Sequence, residues 1–106
     1  MDIEITHAPD RSRYEVWDGG ALVGFTEYRL RGSHLSMNHT EINDGYEGQG
    51  VASRLIRFAL ADARERGLAV IPYCPFVRDH IARHADEQLD LVPAARRTEF
   101  ALPEAA

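Results

Sequence analysis

The stretch HTEINDGYEGQGVASRLIRFAL, residues 39–60, decides the fold because it joins a strand-like pattern to a helix-like pattern through three glycines. Apolar and polar residues alternate up to Ile42, and from Val51 apolar residues recur at offsets of three and four. Gly45, Gly48 and Gly50 lie between the two patterns, and glycine permits both a tight turn and a close approach to the backbone. The sequence therefore predicts a strand, a glycine turn and a helix in direct succession.

The glycine turn is a candidate anion-binding site. The first N–H groups of a helix have no partner within the helix, and the helix dipole is positive at this end. From Gly48 to Ser53, consecutive N–H groups would suit a phosphate or a pyrophosphate. A tight connection without any ligand would need the same glycines, so the pattern leaves both interpretations open.

Two common phosphate-binding motifs do not fit this turn. A nucleoside triphosphatase loop needs Gly-Lys-Ser or Gly-Lys-Thr after its glycines, but Val51, Ala52 and Ser53 follow here and the chain contains no lysine. A dinucleotide fold needs the turn after the first strand of a doubly wound sheet, with an acidic residue about twenty positions later. This turn follows a meander, and Arg66-Gly67 lies at about that distance.

The residues before the turn predict an antiparallel meander of three or four strands. Alternating apolar and polar residues flank Asp18-Gly19-Gly20, which is typical of a hairpin. A further strand runs from His34 to Ile42, and Ile3–Thr6 is a candidate for the first.

The residues after the turn predict a βαβ unit followed by a second helix. The helix from Val51 ends at Arg66-Gly67, a short buried strand spans 68–72, and a shorter helix covers 76–86. Residues 89–93 are a last strand or a loosely packed arm, and the chain after Ala94 is expected to fray. The order of elements indicates the α+β class.

Length and composition predict a single domain, residues 1–94, followed by a C-terminal tail, residues 95–106. No apolar run is long enough to span a membrane, and the acidic start lacks a signal-peptide pattern, so we expect a cytoplasmic protein. Seventeen acidic residues against twelve arginines give a net charge of -5, which argues against nucleic-acid binding. We expect a monomer or a weak homodimer.

The residues YEGQGVASRLI, 46–56, resemble motif A of the GNAT superfamily of acetyl-CoA-dependent N-acetyltransferases, which reads Arg/Gln-x-x-Gly-x-Gly/Ala at a strand-to-helix turn. Gly50 and Ala52 match its last two positions, whereas Glu47 departs from the first. Together with PYCP at 72–75, the sequence from Ile3 to Pro93 resembles the compact YjdJ-type subgroup. The resemblance implies the GNAT fold, a mostly antiparallel mixed sheet with a central βαβ unit and splayed strands that bind coenzyme A.

The resemblance also implies where acetyl-CoA binds. The pyrophosphate is expected on consecutive backbone N–H groups, those of Gly48, Gln49, Gly50, Val51, Ala52 and Ser53. Arg54, one turn into the helix, is either a ligand of a CoA phosphate or an ordinary solvated residue. Glu41, Ile42 and Asn43 are expected at the acetyl end, where a backbone N–H would polarise the thioester carbonyl.

Acetyl transfer needs a base for the amine and an acid for the departing thiolate. Many GNAT members use a tyrosine in the helix after the last core strand as the acid. Here His80 lies at about that place, unless it is an ordinary half-buried histidine, and Tyr73 lies just before the helix. Glu41 and His39 are candidate bases on one strand face. Cys74 either accepts the acetyl group covalently or is a small buried apolar residue.

The sequence as a whole predicts a minimal N-acetyltransferase that moves an acetyl group from acetyl-CoA to an amine of a small molecule or a peptide. The acidic balance favours cationic acceptors. A non-catalytic CoA-binding or regulatory module is the alternative, because Glu47 departs from the motif and the helix tyrosine is missing. His80 and His84 have a metal-chelating spacing, but no third ligand is nearby and the single cysteine excludes a thiolate-rich site, so we predict no metal.

Overall fold

Five strands form one sheet, in the order in which they occur along the chain. In the computed structural model, which describes residues 1–106, they are β1 (Ile3–Ala8), β2 (Arg13–Asp18), β3 (Ala21–Arg31), β4 (His34–Ile42) and β5 (Ala69–Pro72). The first four strands are antiparallel, and β5 pairs with β4 in parallel. The predicted α+β class is confirmed, and the βαβ unit lies at one edge of the sheet because β5 pairs only with β4.

Three helices follow the glycine turn: α1 (Val51–Glu65), α2 (Pro75–Arg83) and the short α3 (Ala85–Gln88). Residues 89–91 form a 3₁₀ turn and are neither a strand nor a loose arm, which corrects that expectation. Leu89 and Leu91 are buried in the core that the helices share, so this segment follows the helices and not the sheet. No helix in the structure has both the length and the apolar character that crossing a membrane requires.

The C-terminal tail packs against α2, so the prediction that it frays after Ala94 is wrong. The Arg78 side chain donates to the carbonyl oxygens of Phe100 and Ala101 at 2.8 and 2.9 Å, and Leu102 is buried. These contacts join segments far apart in sequence, which is why local composition did not reveal them. Where the domain itself ends, predicted at residue 94, stays a prediction.

The core lies between one face of the sheet and the helices. Residues alternate along each strand, so Tyr14, Val16, Leu35 and Met37 point to this face and are buried against α1 and α2. From α1 itself, the buried residues are Val51, Leu55, Ile56, Ala59, Leu60 and Ala63, as the helical spacing predicts. This packing fixes the start of α1 at the end of β4.

Polar contacts also fix the other end of α1 to the sheet. The Tyr14 hydroxyl donates to Asp62 Oδ2 at 2.6 Å, and Arg66 Nη1 donates to the same oxygen at 3.1 Å. Although partial burial opposes ionisation, these two hydrogen bonds keep the pKa of Asp62 below its usual value. The helix is thus held at both ends, so its first turn has a fixed orientation.

Strands β4 and β5 separate halfway along β4. Their parallel pairing runs only from His34 to Met37, and the last link is the Cys74 N–H donating to the Met37 carbonyl at 2.8 Å. The register of β4 against β3 shifts just after this point, because Glu27 pairs with His39 and the next residue of β3 pairs with Met37, which leaves Asn38 as a bulge. The second half of β4 therefore borders an opening, as expected for splayed strands.

Candidate functional site

The turn between β4 and α1 presents a row of free backbone donors. No N–H group from Glu47 to Ser53 donates a hydrogen bond within the chain, and the first of the helix to do so is that of Arg54, to the Gly50 carbonyl at 3.0 Å. Gly50 precedes the helix, and no side chain caps the helix start. Seven consecutive donors at the positive end of a helix suit an anion.

The glycines are required by the backbone conformation of the turn. Gly48 and Gly50 have φ of 74° and 77°, in the left-handed region where residues with a side chain are strained. A Cβ added at either position would meet no atom within 4 Å, so crowding inside the protein does not explain them. Their conformation gives the turn the shape in which its N–H groups stay unpaired.

Several side chains of this segment hold the turn in place. The Tyr46 hydroxyl donates to Asp18 Oδ2 at 2.6 Å and, with the Asp2 N–H, lowers the pKa of that carboxyl. Gln49 Nε2 donates to the Gly45 carbonyl at 2.8 Å. The structure therefore uses the Gln49 side chain within the turn, while its N–H stays free.

A cavity of about 370 Å³ lies between this turn and α2. Its lining residues come from the end of β4, the turn, the start of α1, and α2: Ile42, Tyr46, Glu47, Gly48, Gly50, Val51, Ala52, Ser53, Phe76 and Arg83. Six of the predicted cofactor residues are in this lining, namely Ile42, Gly48, Gly50, Val51, Ala52 and Ser53. The structure thus brings five of the six predicted pyrophosphate donors to one concave surface, and Gln49 is the one outside its lining.

Sequence reasoning missed the contribution of α2 to this cavity. Phe76 and Arg83 are seven residues apart, which places them on one face of the helix two turns apart. Arg83 makes no ion pair or hydrogen bond in the protein, so its guanidinium is available to a ligand. The seven-residue spacing is visible in the sequence, but only the folded chain shows that this face is opposite the turn.

Arg54 is not brought to this cavity. It lines a separate hollow with Ile5, Arg57 and Phe58. Each residue of a helix is rotated about 100° from the one before, and this rotation takes Arg54 away from the side that Ser53 presents to the cavity. Arg83 is therefore the cation at the turn.

Glu47 also lines the cavity and is its one acidic residue. Its carboxylate makes no ion pair or hydrogen bond with any other residue. The cavity wall thus carries one carboxylate and one guanidinium, and the carboxylate opposes the binding of an anion.

Cys74 lies where β4 and β5 separate. It is 1% exposed, and its Sγ donates to Thr40 Oγ1 at 3.2 Å. The Thr40 hydroxyl is in turn 2.9 Å from that of Thr26, so three buried polar side chains form a chain from the end of β5 across β4 to β3. The thiol is therefore hydrogen-bonded and located at the opening.

His80 is buried on α2, and neither ring nitrogen has a hydrogen-bond partner. Burial, with the nearby positive charges of His84, Arg57 and Arg83, lowers the pKa of His80 to about 4. The ring is neutral at pH 7 and does not line the cavity. The His80 and His84 rings are 4.5 Å apart, but no group of three or more metal-ligating side chains occurs in the structure.

Glu41 and Tyr73 lie on the sheet face opposite α1. Glu41 pairs in register with Phe25 between residues that face the helix, and its carboxylate is 3.0 Å from His39 Nε2. Tyr73 is half exposed, and its hydroxyl accepts a hydrogen bond from Arg96 Nη2 at 2.9 Å. The predicted catalytic residues therefore lie in three places: on the sheet face opposite α1, at the opening between β4 and β5, and on the buried side of α2.

The Asn43 N–H is already used, since it donates to the Val23 carbonyl at 2.8 Å. Successive residues of a strand direct their N–H groups to opposite edges. The N–H of Ile42 therefore faces the opening between β4 and β5, and Ile42 also lines the cavity. Among the three residues predicted at the acetyl end, Ile42 has the donor best placed for a carbonyl oxygen.

Comparisons with known proteins were made for sequence and for structure. The sequence model of the family described as GCN5-related N-acetyl-transferase matches residues 13–91, more than half of the chain. A GCN5-like protein from Staphylococcus aureus has a similar structure, with a TM-score of 0.65, 24% identity and coverage of 87% of this chain and 89% of that chain. A search among curated proteins found no match.

Two ribosomal-protein acetyltransferases also have similar structures. The ribosomal-protein-alanine N-acetyltransferase of Brucella melitensis has a TM-score of 0.52 and 24% identity, with coverage of 76% of this chain and 63% of that enzyme. The ribosomal-protein-S18-alanine N-acetyltransferase of Escherichia coli has a TM-score of 0.53 and 15% identity, with coverage of 55% and 38%. This chain therefore spans less than two thirds of the length of these two enzymes, and at these identities the likeness is one of fold.

Proposed function

The chain belongs to the GCN5-related N-acetyltransferase family and is an acyltransferase, and from this premise we propose that it transfers the acetyl group of acetyl-CoA to an amine of a small molecule or a peptide. The observation that carries the proposal is the row of seven free N–H groups, 47–53, at a cavity of about 370 Å³. Such a row suits an anionic ligand with several acceptor oxygens, which a pyrophosphate is.

The turn and α2 would hold the cofactor. The N–H groups of residues 48–53 bind the pyrophosphate, Arg83 adds a positive charge, and Phe76 contributes an apolar wall beside it. Acetyl-CoA, when bound, supplies an activated acetyl thioester. The Ile42 N–H, at the edge of β4, would hold the thioester carbonyl and would stabilise the negative charge that develops on its oxygen.

Two routes for the acetyl group follow from the positions of the polar side chains. In the covalent route, the Cys74 thiol would exchange its proton for the acetyl group, so that coenzyme A leaves as the free thiol. The sulfur would then pass the acetyl group to the amine and regain a proton, with the Thr40 hydroxyl close by. In the direct route, the pair formed by Glu41 and His39 takes the proton of the amine on the open face. Neither route assigns a step to His80, which is buried on α2.

A non-catalytic CoA-binding module is the second candidate. Two observations favour it: Glu47 on the wall of the cavity, and the burial of the histidine that stands in place of the helix tyrosine. In that case coenzyme A would bind to the turn, but no amine would be acetylated.

The first prediction concerns the affinity for coenzyme A. We expect CoA to raise the melting temperature of the protein more than NAD or ATP does, since ligands stabilise the state to which they bind. Arg83→Gln should weaken CoA binding about tenfold, because one cation is lost at the phosphates. The matched control is Arg57→Gln, which removes an exposed arginine of α1 that also lacks an ion pair and does not line the cavity. Calorimetric titration measures both affinities.

If CoA affinity falls equally in the two variants, only net charge matters and Arg83 is not part of the binding site. No shift with CoA would refute the proposal. Release of thiol from acetyl-CoA in the presence of amines then separates the enzyme from the non-catalytic module.

A further inference from the structure

A second concave surface lies on the sheet face opposite α1, beside the opening between β4 and β5. This hollow has a volume of about 300 Å³ and is lined by Arg29, Arg31, Ser36, Asn38 and Tyr73. No acidic side chain is among its lining residues. The hollow is thus a small positive surface in a protein whose net charge is -5.

The register of the sheet explains why these residues meet. Arg29 pairs with Ser36 and Arg31 pairs with His34, whereas Tyr28, which directly precedes Arg29, is buried on the α1 side. Residues two apart on a strand share a face, so both arginines point away from α1. The bulge at Asn38 and the end of β5 at Tyr73 complete the hollow where the strands separate.

The charge of the hollow is not compensated within the protein. Seven of the twelve arginines form ion pairs or hydrogen bonds, which are Arg11, Arg13, Arg64, Arg66, Arg78, Arg96 and Arg97. Arg29 and Arg31 form none, although like charges at neighbouring positions of one sheet face repel each other. Arg96, which donates to the Tyr73 hydroxyl, is paired with Glu99 and so adds no free charge to the hollow. An anionic group between Arg29 and Arg31 would relieve the repulsion and accept their hydrogen bonds.

We propose that this hollow binds the acceptor and that the acceptor is a small primary amine carrying a carboxylate or a phosphate. The inference rests on the proposed function. Asn38 lies at the bulge where β4 leaves β5, so the hollow adjoins the opening. With its anionic group at the two arginines, such a molecule reaches the opening with its amine. The volume of about 300 Å³ is at the small end of ligand sites.

This proposal reverses the preference that net charge alone suggests. An overall charge of -5 favours cationic acceptors, but the surface beside the opening is formed by arginines. Local charge acts at a few ångströms, whereas the charge of distant side chains is screened by salt over about 10 Å. The acceptor is therefore selected by Arg29 and Arg31.

The test compares matched amines with and without an anionic group. Thiol release from acetyl-CoA is measured with 4-aminobutyrate against butylamine, and with phosphoethanolamine against ethanolamine, so that the two pairs distinguish carboxylate from phosphate. We expect kcat/KM to be at least about tenfold higher for the anionic member of at least one pair. In the double variant Arg29→Gln, Arg31→Gln, this ratio should fall close to one, mainly through KM.

Two control variants and one binding measurement complete the test. The double variant Arg29→Lys, Arg31→Lys keeps the charge and should keep most of the preference, and Arg57→Gln should behave as the unchanged protein. The affinity for CoA should be the same in all of them, since none of these residues lines the cofactor cavity.

If kcat/KM is the same for the neutral and the anionic amine in both pairs, the inference is overturned, but the proposed acetyl transfer is not affected. The inference is also overturned if the double variant Arg29→Gln, Arg31→Gln keeps the preference in kcat/KM for the anionic amine. If the unchanged protein binds CoA but acetylates no amine, the proposed function fails and the inference fails with it.

Discussion

Glu47 is the one acidic side chain on the wall of the cofactor cavity, and its replacement tests the charge of that wall. We expect Glu47→Gln to bind CoA about fivefold more tightly, because removing one repulsive charge near the surface is worth about 1 kcal/mol. The control is Glu65→Gln, an exposed glutamate at the far end of α1 without an ion pair. The gain should shrink as salt is added. Weaker binding by Glu47→Gln would mean that the carboxylate helps to hold the turn or the ligand.

Cys74 separates the two routes for the acetyl group. If the covalent route operates, Cys74→Ala lowers kcat by about a hundredfold or more, while CoA affinity stays the same because Cys74 does not line the cavity. The unchanged protein, mixed with acetyl-CoA alone, should gain one acetyl group at Cys74 by mass spectrometry. The matched control, Thr40→Val, removes the hydrogen-bond acceptor of the thiol but keeps the nucleophile. Full turnover by Cys74→Ala, with no acetylated protein, would leave only the direct route.

At the scale of the element, α2 lines the cavity on one side and carries a buried histidine, His80, on the other. His80 has a folded pKa of about 4 against 6.5 when exposed, so folding favours its neutral form. Its contribution to stability is therefore complete above pH 6.5 and is lost as the pH falls from 6.5 to 4. The loss is at most about 3 kcal/mol, at about 1.4 kcal/mol per pH unit.

Urea unfolding at pH 7 and pH 4.5 measures this effect. The unchanged protein should lose more of its free energy of unfolding between the two values than His80→Leu does, whereas His34→Gln, at an exposed histidine, should lose as much as the unchanged protein. An identical loss in His80→Leu would show that other groups dominate the acid sensitivity.

At the scale of the whole molecule, the strand, the turn and α1 could be predicted from sequence because each depends on neighbours in the chain. The bulge at Asn38 was not predicted, although the apolar positions of β4 change parity between Met37 and Ile42. The places of Arg83 and of the arginine hollow depend instead on which faces meet after folding. The packing of the tail likewise depends on Arg78, which donates a hydrogen bond to the carbonyl of Phe100, a residue distant in sequence.

The chain belongs to the family and has the α+β fold, whereas the assignment to the compact YjdJ-type subgroup and the catalytic roles stay predictions. The reason is physical. A turn whose backbone binds phosphate can be recognised from a local pattern of glycines. Whether a residue acts as an acid or a base depends on its exposure and on partners that are distant in sequence. His80 illustrates this, since a suitable position in the chain proved to be a buried one.

Strand β5 pairs with β4 only from His34 to Met37, so the second half of β4 has no neighbouring strand on that side. A linear guest with amide groups, such as the pantetheine arm, can fill that gap by donating and accepting as a missing strand would. Binding then completes the secondary structure. If coenzyme A binds in this way, the amides of Thr40 and Ile42 should change from fast to slow hydrogen exchange on its addition, and the ligand would complete the scaffold of the protein.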